Sequence, residues 1–138
     1  MDRGTGVDGA LSQLQHAWAT FVNSSFVEET LKVAADASAA AAEKLAGGWA
    51  PFVLDVRLPQ EAEICQLPFA DALVPHRNVK AAAGDLPRDR DILVHCKSGF
   101  RSRQACADLA GLGFDRLFDM EGGILAWGRD VDPRLPKY

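Results

Sequence analysis

Residues 92–102, Ile-Leu-Val-His-Cys-Lys-Ser-Gly-Phe-Arg-Ser, join the apolar run Ile92-Leu93-Val94 to a thiol, Cys96. Two cations, two hydroxyls and a glycine follow the thiol within six residues. An apolar run without polar alternation suits a strand buried on both faces of a parallel sheet. Downstream, Ser102 to Leu112 sets Ala105, Cys106, Leu109, Ala110 and Leu112 mostly on one helical face, and Gly111 and Gly113 mark its exit. Leu117-Phe118 then reads as the next strand. Strand, tight loop, helix and strand make a βαβ unit, which implies a right-handed crossover and a parallel sheet.

Two further runs, Phe52-Val53-Leu54 and Ala72-Leu73-Val74, have the same unalternated character and add strands before this unit. Upstream the pattern changes. Residues 1–10 are polar and glycine-rich and are expected to be disordered. Leu11, Leu14, Trp18 and Phe21 recur at helical spacing. Ser25 with Glu28 three residues on predicts a capping box, opening an Ala-rich second helix that runs to about residue 46 and stops at Gly47-Gly48. Such helices most simply cover one face of the domain. The division is thus a tail at 1–10, a helical segment at 11–48 and an α/β domain at 49–138.

The 138 residues suffice for one domain, and 48% hydrophobic with 25% charged residues reads as soluble and globular. A net charge of −4 argues against a nucleic-acid or anionic-membrane partner, so affinity for anions must be local. No run approaches the ~20 apolar residues of a spanning helix, and the start MDRGTGVDGA has neither the apolar stretch of a signal peptide nor a transit-peptide composition. Cys65, Cys96 and Cys106 are odd in number with no CxxC spacing. That fits a reducing, cytoplasmic setting and argues against a disulfide framework or a zinc site. No metal or cofactor is expected.

Cys96 falls at the carboxyl end of a central parallel strand, where open α/β sheets place their ligands. Ser102 opens the next helix, whose N-terminus carries roughly half a positive charge. A Gly99-containing turn between them can aim backbone N–H groups inward as an anion nest, with Lys97 and Arg101 adding charge. A thiol in that field is expected to ionise below its ordinary value of about 8.5 and to act as a nucleophile. His95 is no partner for it, because neighbours on a strand face opposite ways. His95 reads as a packed histidine, and His16 and His76 have nothing placing them at the loop.

The segments LDVR at 54–57, HCKSGFRS at 95–102 and GFDRLFDMEGGILAWGRDVDPRLPKY at 113–138 resemble the rhodanese (sulfurtransferase) homology domain over about residues 49–138. The resemblance implies a five-stranded parallel sheet flanked by helices on both sides. It implies that Cys96 carries sulfane sulfur as a persulfide, cradled with the substrate by Lys97, Ser98, Gly99, Phe100, Arg101 and Ser102. The segment ICQLPFADALVP at 64–75 and the ending VDPRLPKY are most similar to the C-terminal rhodanese domain of molybdopterin-synthase adenylyltransferase/sulfurtransferases. Those proteins feed a ubiquitin-like sulfur carrier after adenylation, and the sulfane-sulfur donor implied for this chain is thiosulfate or a cysteine desulfurase. A carrier protein and a separate adenylating enzyme are the implied partners, and an open, shallow mouth around Cys96 is expected. Residues 1–48 resemble nothing identified.

Rhodanese-like phosphatases form the nearest competing group, but their loop holds five residues between cysteine and arginine. Here Cys96 and Arg101 enclose four. The alternatives to a carrier-feeding enzyme are a stand-alone thiosulfate:cyanide-type sulfurtransferase and a non-catalytic rhodanese-like module, which typically lacks the loop cysteine. Asp55 and Arg57, two apart on a strand end, read as a structural ion pair supporting the loop. Cys65 reads as a plain thiol rather than a resolving one, and Cys106 as core. Gly122-Gly123 reads as a turn, Trp127 as the anchor of a final helix, and Trp49 as a core or edge aromatic.

Overall fold

A computed structural model describes residues 33–138. Five parallel strands are ordered β1-β5-β4-β2-β3: β1 Val33–Ala37, β2 Phe52–Asp55, β3 Ala72–Leu73, β4 Ile92–His95 and β5 Leu117–Glu121. The helices are α1 Ser38–Ala46, α2 Pro59–Ile64, α3 Val79–Ala82, α4 Phe100–Gly111 and α5 Gly123–Asp130. Short 3-10 turns at His76–Asn78 and Ala83–Asp85 flank α3. The four apolar runs read as strands are β2, β3, β4 and β5, and the crossover helix lies between β4 and β5.

Alternation along the strands divides the core in two. Ile92, Val94 and Cys96 share one face with Leu54, Val56, Leu109 and Phe114, under α3 and α4. Leu93 and Val53 face the other way, among Ala41, Met120, Ile124 and Trp127, under α1 and α5. Trp127 is 6% exposed and meets Phe69 edge-on at 5.3 Å, anchoring α5 as expected. Trp49 sits at the domain edge, donating to Asp91 Oδ2 at 2.6 Å and meeting Phe118 edge-on at 5.1 Å.

The helix expected from Ser25 to about residue 46 is corrected. Val33–Ala37 is an edge strand in register with Leu117–Glu121, and the helix begins at Ser38. Alanine favours helix, but Val33 packs against the buried core and pairing with β5 supplies hydrogen bonds that a longer helix would forfeit. The sheet therefore starts upstream of residue 49. Gly47-Gly48 ends the helix as read, with Gly48 at φ +106°. The Leu11–Phe21 stripe, the Ser25 cap and the 1–10 tail lie outside the described residues.

From β2 the chain moves to one side, to β3, and from β4 it moves to the other, to β5. The carboxyl ends of β2 and β4, which are paired Asp55 to His95, are thus a topological switch point. Two loops leave it in opposite directions, Val56–Leu58 toward α2 and Cys96–Gly99 toward α4.

Candidate active site

Cys96 follows β4 and is 1% exposed. The Gly99 N–H donates to its Sγ at 3.0 Å, and the thiol lies 3.6 Å from Ser102 Oγ. The turn that aims this N–H is locked from behind by α5. The N–H groups of Ile124 and Leu125, in the first turn of α5, donate to the carbonyls of Cys96 and Lys97 at 2.8 and 3.1 Å. With those carbonyls held outward, the loop amides turn toward the sulfur. Gly99 enters α4 at φ +111°, a conformation that glycine adopts without penalty.

Ser102 is fully buried, and its hydroxyl donates to Asp119 Oδ1 at 2.6 Å, with the Gly99 carbonyl at 3.2 Å. Burial pushes the Asp119 carboxyl up to about 6, against the Ser102 hydrogen bond and Arg103, which hold it down. Cys106, 1% exposed, has its thiol pushed up by burial and belongs to the core, as read from its helical face. Cys65 is likewise buried, in the opposite core.

Asp55 and Arg57 form the ion pair expected of them. Arg57 Nε and Nη2 reach Asp55 Oδ1 and Oδ2 at 2.9 and 2.7 Å, and Nη2 also donates to the Cys65 carbonyl at 2.9 Å. His95 lies against this pair, on the face away from the sulfur. Its Nε2 is 3.9 Å from Asp55 Oδ2 and has no hydrogen-bond partner. Burial pushes its pKa down and keeps the ring neutral. The alternation argument against a His95–Cys96 dyad matches this geometry.

The loop cations differ from expectation. Helix α4 starts at Phe100, two residues before the expected Ser102, so Arg101 is helical and points across the switch point to α2. There its Nη1 and Nη2 donate to Glu61 Oε1 and Oε2 at 2.6 and 2.9 Å. Glu61 also accepts from the Leu58 N–H at 3.0 Å and from the Tyr138 hydroxyl at 2.9 Å. Arg101, opposed by partial burial and helped by Leu58 and Tyr138, holds the Glu61 carboxyl down to about 2. Tyr138 in turn accepts from Arg57 Nη1 at 2.8 Å. Lys97 is half-buried, with Nζ 4.5 Å above the Tyr138 ring, and makes no ion pair among the described residues. Ser98 is exposed, and Phe100 is 81% exposed on the rim. The loop is open to solvent while its sulfur is recessed, so the shallow mouth expected at Cys96 itself is corrected.

Glu61, Asp119 and Tyr138 escaped the sequence reading. Asp119 had a signal, a charge inside the otherwise apolar run Leu117-Phe118-Asp119-Met120. Glu61 and Tyr138 had none, since their partners are chosen by the fold.

A parallel α/β sheet that presents one recessed cysteine in a four-residue turn, at its switch point and before a helix, defines a class of single-thiol loop domains. The family model described as "Rhodanese-like domain" matches residues 37–130, and the chain belongs to that family. A protein named Sulfurtransferase from Allochromatium vinosum is 42% identical over 78 residues, which are 56% of this chain and 71% of that one. The probable adenylyltransferase/sulfurtransferase MoeZ of Mycobacterium tuberculosis is 34% identical over 88 residues, 62% of this chain. The matched stretch spans only 22% of that relative. Among solved structures, a rhodanese-related protein from Thermoplasma volcanium aligns with a TM-score of 0.63 at 30% identity, covering 71% of this chain and 93% of that one. Among the described residues no helix is long and apolar enough to cross a membrane.

Proposed function

We propose that the chain is a sulfurtransferase that carries sulfane sulfur as a persulfide on Cys96 and passes it to a thiophilic acceptor in the cytoplasm. The observation that carries this reading is the Gly99 N–H aimed at Cys96 Sγ at 3.0 Å, held there by the first turn of α5. A donated hydrogen bond stabilises negative sulfur, both when Cys96 attacks and when it leaves. In loading, the Cys96 sulfur attacks the outer sulfur of the donor, whose sulfur–sulfur bond breaks. In discharge, the acceptor takes that outer sulfur and Cys96 departs as thiolate, stabilised by the same N–H. The outer sulfur of a persulfide stands about 2 Å beyond Sγ, so it can reach a partner that the recessed Cys96 sulfur cannot. Mass spectrometry after incubation with thiosulfate or with a cysteine desulfurase and cysteine tests the reading. One added sulfur atom on the Cys96 peptide is expected, and its absence with every donor would leave a non-catalytic rhodanese-like module.

The acceptor we favour is a ubiquitin-like sulfur carrier. Support comes from MoeZ and from the adenylyltransferase and sulfurtransferase of Ogataea parapolymorpha, of which this chain matches only 22% and 25% of the length. A separate adenylating enzyme and ATP would activate the carrier's C-terminus; the outer sulfur of the Cys96 persulfide then displaces AMP to form an acyl disulfide. An added thiol such as dithiothreitol cleaves its sulfur–sulfur bond, releasing the carrier thiocarboxylate and the Cys96 thiolate. Intact mass should then show one oxygen exchanged for sulfur. Efficient thiosulfate-to-cyanide turnover without that product would favour a stand-alone small-molecule sulfurtransferase.

A further inference from the structure

We infer that Glu61 is a specificity-determining residue: by occupying both terminal nitrogens of Arg101, it makes the Cys96 site favour persulfide donors of low charge over dianionic oxyanion donors such as thiosulfate. This rests on the sulfurtransferase reading above.

A five-donor guanidinium beside a nucleophilic loop is ordinarily a fork for oxyanions. Here its end-on face, one N–H from each terminal nitrogen, is filled. Its two ends sit on the two oxygens of Glu61 at 2.6 and 2.9 Å, and that carboxylate takes two further donors from Leu58 and Tyr138. The Arg101 and Glu61 side chains are 24% and 14% exposed, so the pair is only partly wetted. An oxyanion that recruited Arg101 would strip the Glu61 carboxylate of both charge-assisted bonds and leave it half-desolvated. That loss opposes the new pair. Glu61 does not release Arg101 by protonation either, since four donors hold its carboxyl at about 2.

Two charge pairs near the sulfur cancel, Asp55 with Arg57 and Glu61 with Arg101, and Asp119 behind Ser102 adds a carboxylate with no ion pair among the described residues. Among the described residues at the loop, Lys97 is the one cation left without an ion pair, lying over the Tyr138 ring. One positive charge and a backbone amide match a monoanion. A persulfide donor meets that requirement: Cys96 thiolate attacks its outer sulfur, the donor's sulfur–sulfur bond breaks, and the donor leaves as a thiolate while the persulfide forms. With thiosulfate the same displacement releases sulfite, which demands stabilisation of two negative charges in a site that supplies one.

The test compares cysteine persulfide, a net monoanion, with dianionic thiosulfate as donors for the wild type and for Glu61→Gln and Glu61→Ala. Wild type should use cysteine persulfide with a kcat/KM at least about tenfold above thiosulfate. Releasing Arg101 in either variant should lower the thiosulfate KM roughly tenfold with kcat nearly unchanged, and leave the persulfide KM within about twofold. A Glu61 that merely positions Arg101 for the oxyanion moves the thiosulfate KM upward instead. An unchanged or raised thiosulfate KM overturns the proposal, as does a wild type that prefers thiosulfate. That wild-type comparison stands even if both variants fail to fold. Protection of Cys96 from iodoacetamide by sulfate, read as the salt concentration that halves alkylation, follows anion binding without sulfur transfer. Stronger protection in the variants supports the role of Glu61 even if no persulfide forms, which separates its failure from failure of the sulfurtransferase reading.

Discussion

Gly123 lies against the backbone of Cys96 so closely that a Cβ built on it would fall 2.5 Å from the Cys96 carbonyl oxygen and 2.5 Å from the Lys97 carbonyl carbon and oxygen. The contact lets the first N–H groups of α5 reach those carbonyls and thereby aim the Gly99 amide at the sulfur. The last helix of the domain, 27 positions beyond Cys96 at its start, is thus part of the loop's geometry.

Gly123→Ala should therefore cost about 2–4 kcal/mol of stability, from overpacking against backbone that cannot yield and from φ +61°. The loss of sulfur loading should exceed the loss of fold. Gly84→Ala is the control, because a Cβ there meets nothing within 4 Å and φ is not positive. It should stay within about 0.5 kcal/mol. Urea denaturation of both variants, alongside persulfide yield at a temperature where each is folded, checks the pair.

Among the thiols, Cys96→Ser should abolish loading, while Cys65→Ser and Cys106→Ser should keep most of it. Cys106 is buried with its thiol pushed up, and Cys65 lies in the opposite core. Peptide mapping of the persulfide decides the matter. Sulfur found chiefly on Cys65 or Cys106 would sink the assignment.

Asp119 predicts a pH dependence of stability with a definite sign. Its folded pKa is raised by burial to about 6, above an unfolded value near 3.9, so the folded state binds the proton more tightly. Its contribution is present in full below about pH 4 and is lost as pH rises through about 6. Asp119→Asn keeps an acceptor for Ser102 and removes the ionisation. The variant should gain on the wild type by about 2–3 kcal/mol between pH 4 and 7. Urea midpoints across that range should converge at the acid end and separate toward neutrality. Parallel curves would refute the assignment.

Glu61 predicts the opposite slope. Its carboxyl is held at about 2 by Arg101, so its contribution is present above about 4.3 and lost as pH falls toward 2. Glu61→Gln should flatten acid unfolding in that window. Because the pair is partly exposed, a double-mutant cycle of Glu61→Gln with Arg101→Ala should give a coupling of only about 1 kcal/mol. A coupling near zero would mean that the bidentate contact does not hold in solution.

Much of the domain was legible in the chain itself. The unalternated runs at 52–54, 92–94 and 117–118 declared a parallel sheet, because strands covered on both faces cannot afford polar positions. The glycine and the helix start after Cys96 declared where an anion could sit. Alternation alone sent His95 to the face opposite the sulfur. These are local consequences of backbone geometry, and local sequence is enough to reveal them. Val33–Ala37 was not legible, since four of its five residues favour other structures and its strand state is conferred by β5, more than eighty residues away. The same holds for the side-chain partners of the site. Arg101 meets Glu61 at a separation of 40 residues, Ser102 meets Asp119 at 17, and Tyr138 meets Glu61 at 77. Sequence specified that cations surround the thiol. Whether those cations stay free for a substrate depends on which carboxylates the crossovers bring to the switch point, and only the tertiary structure decided that.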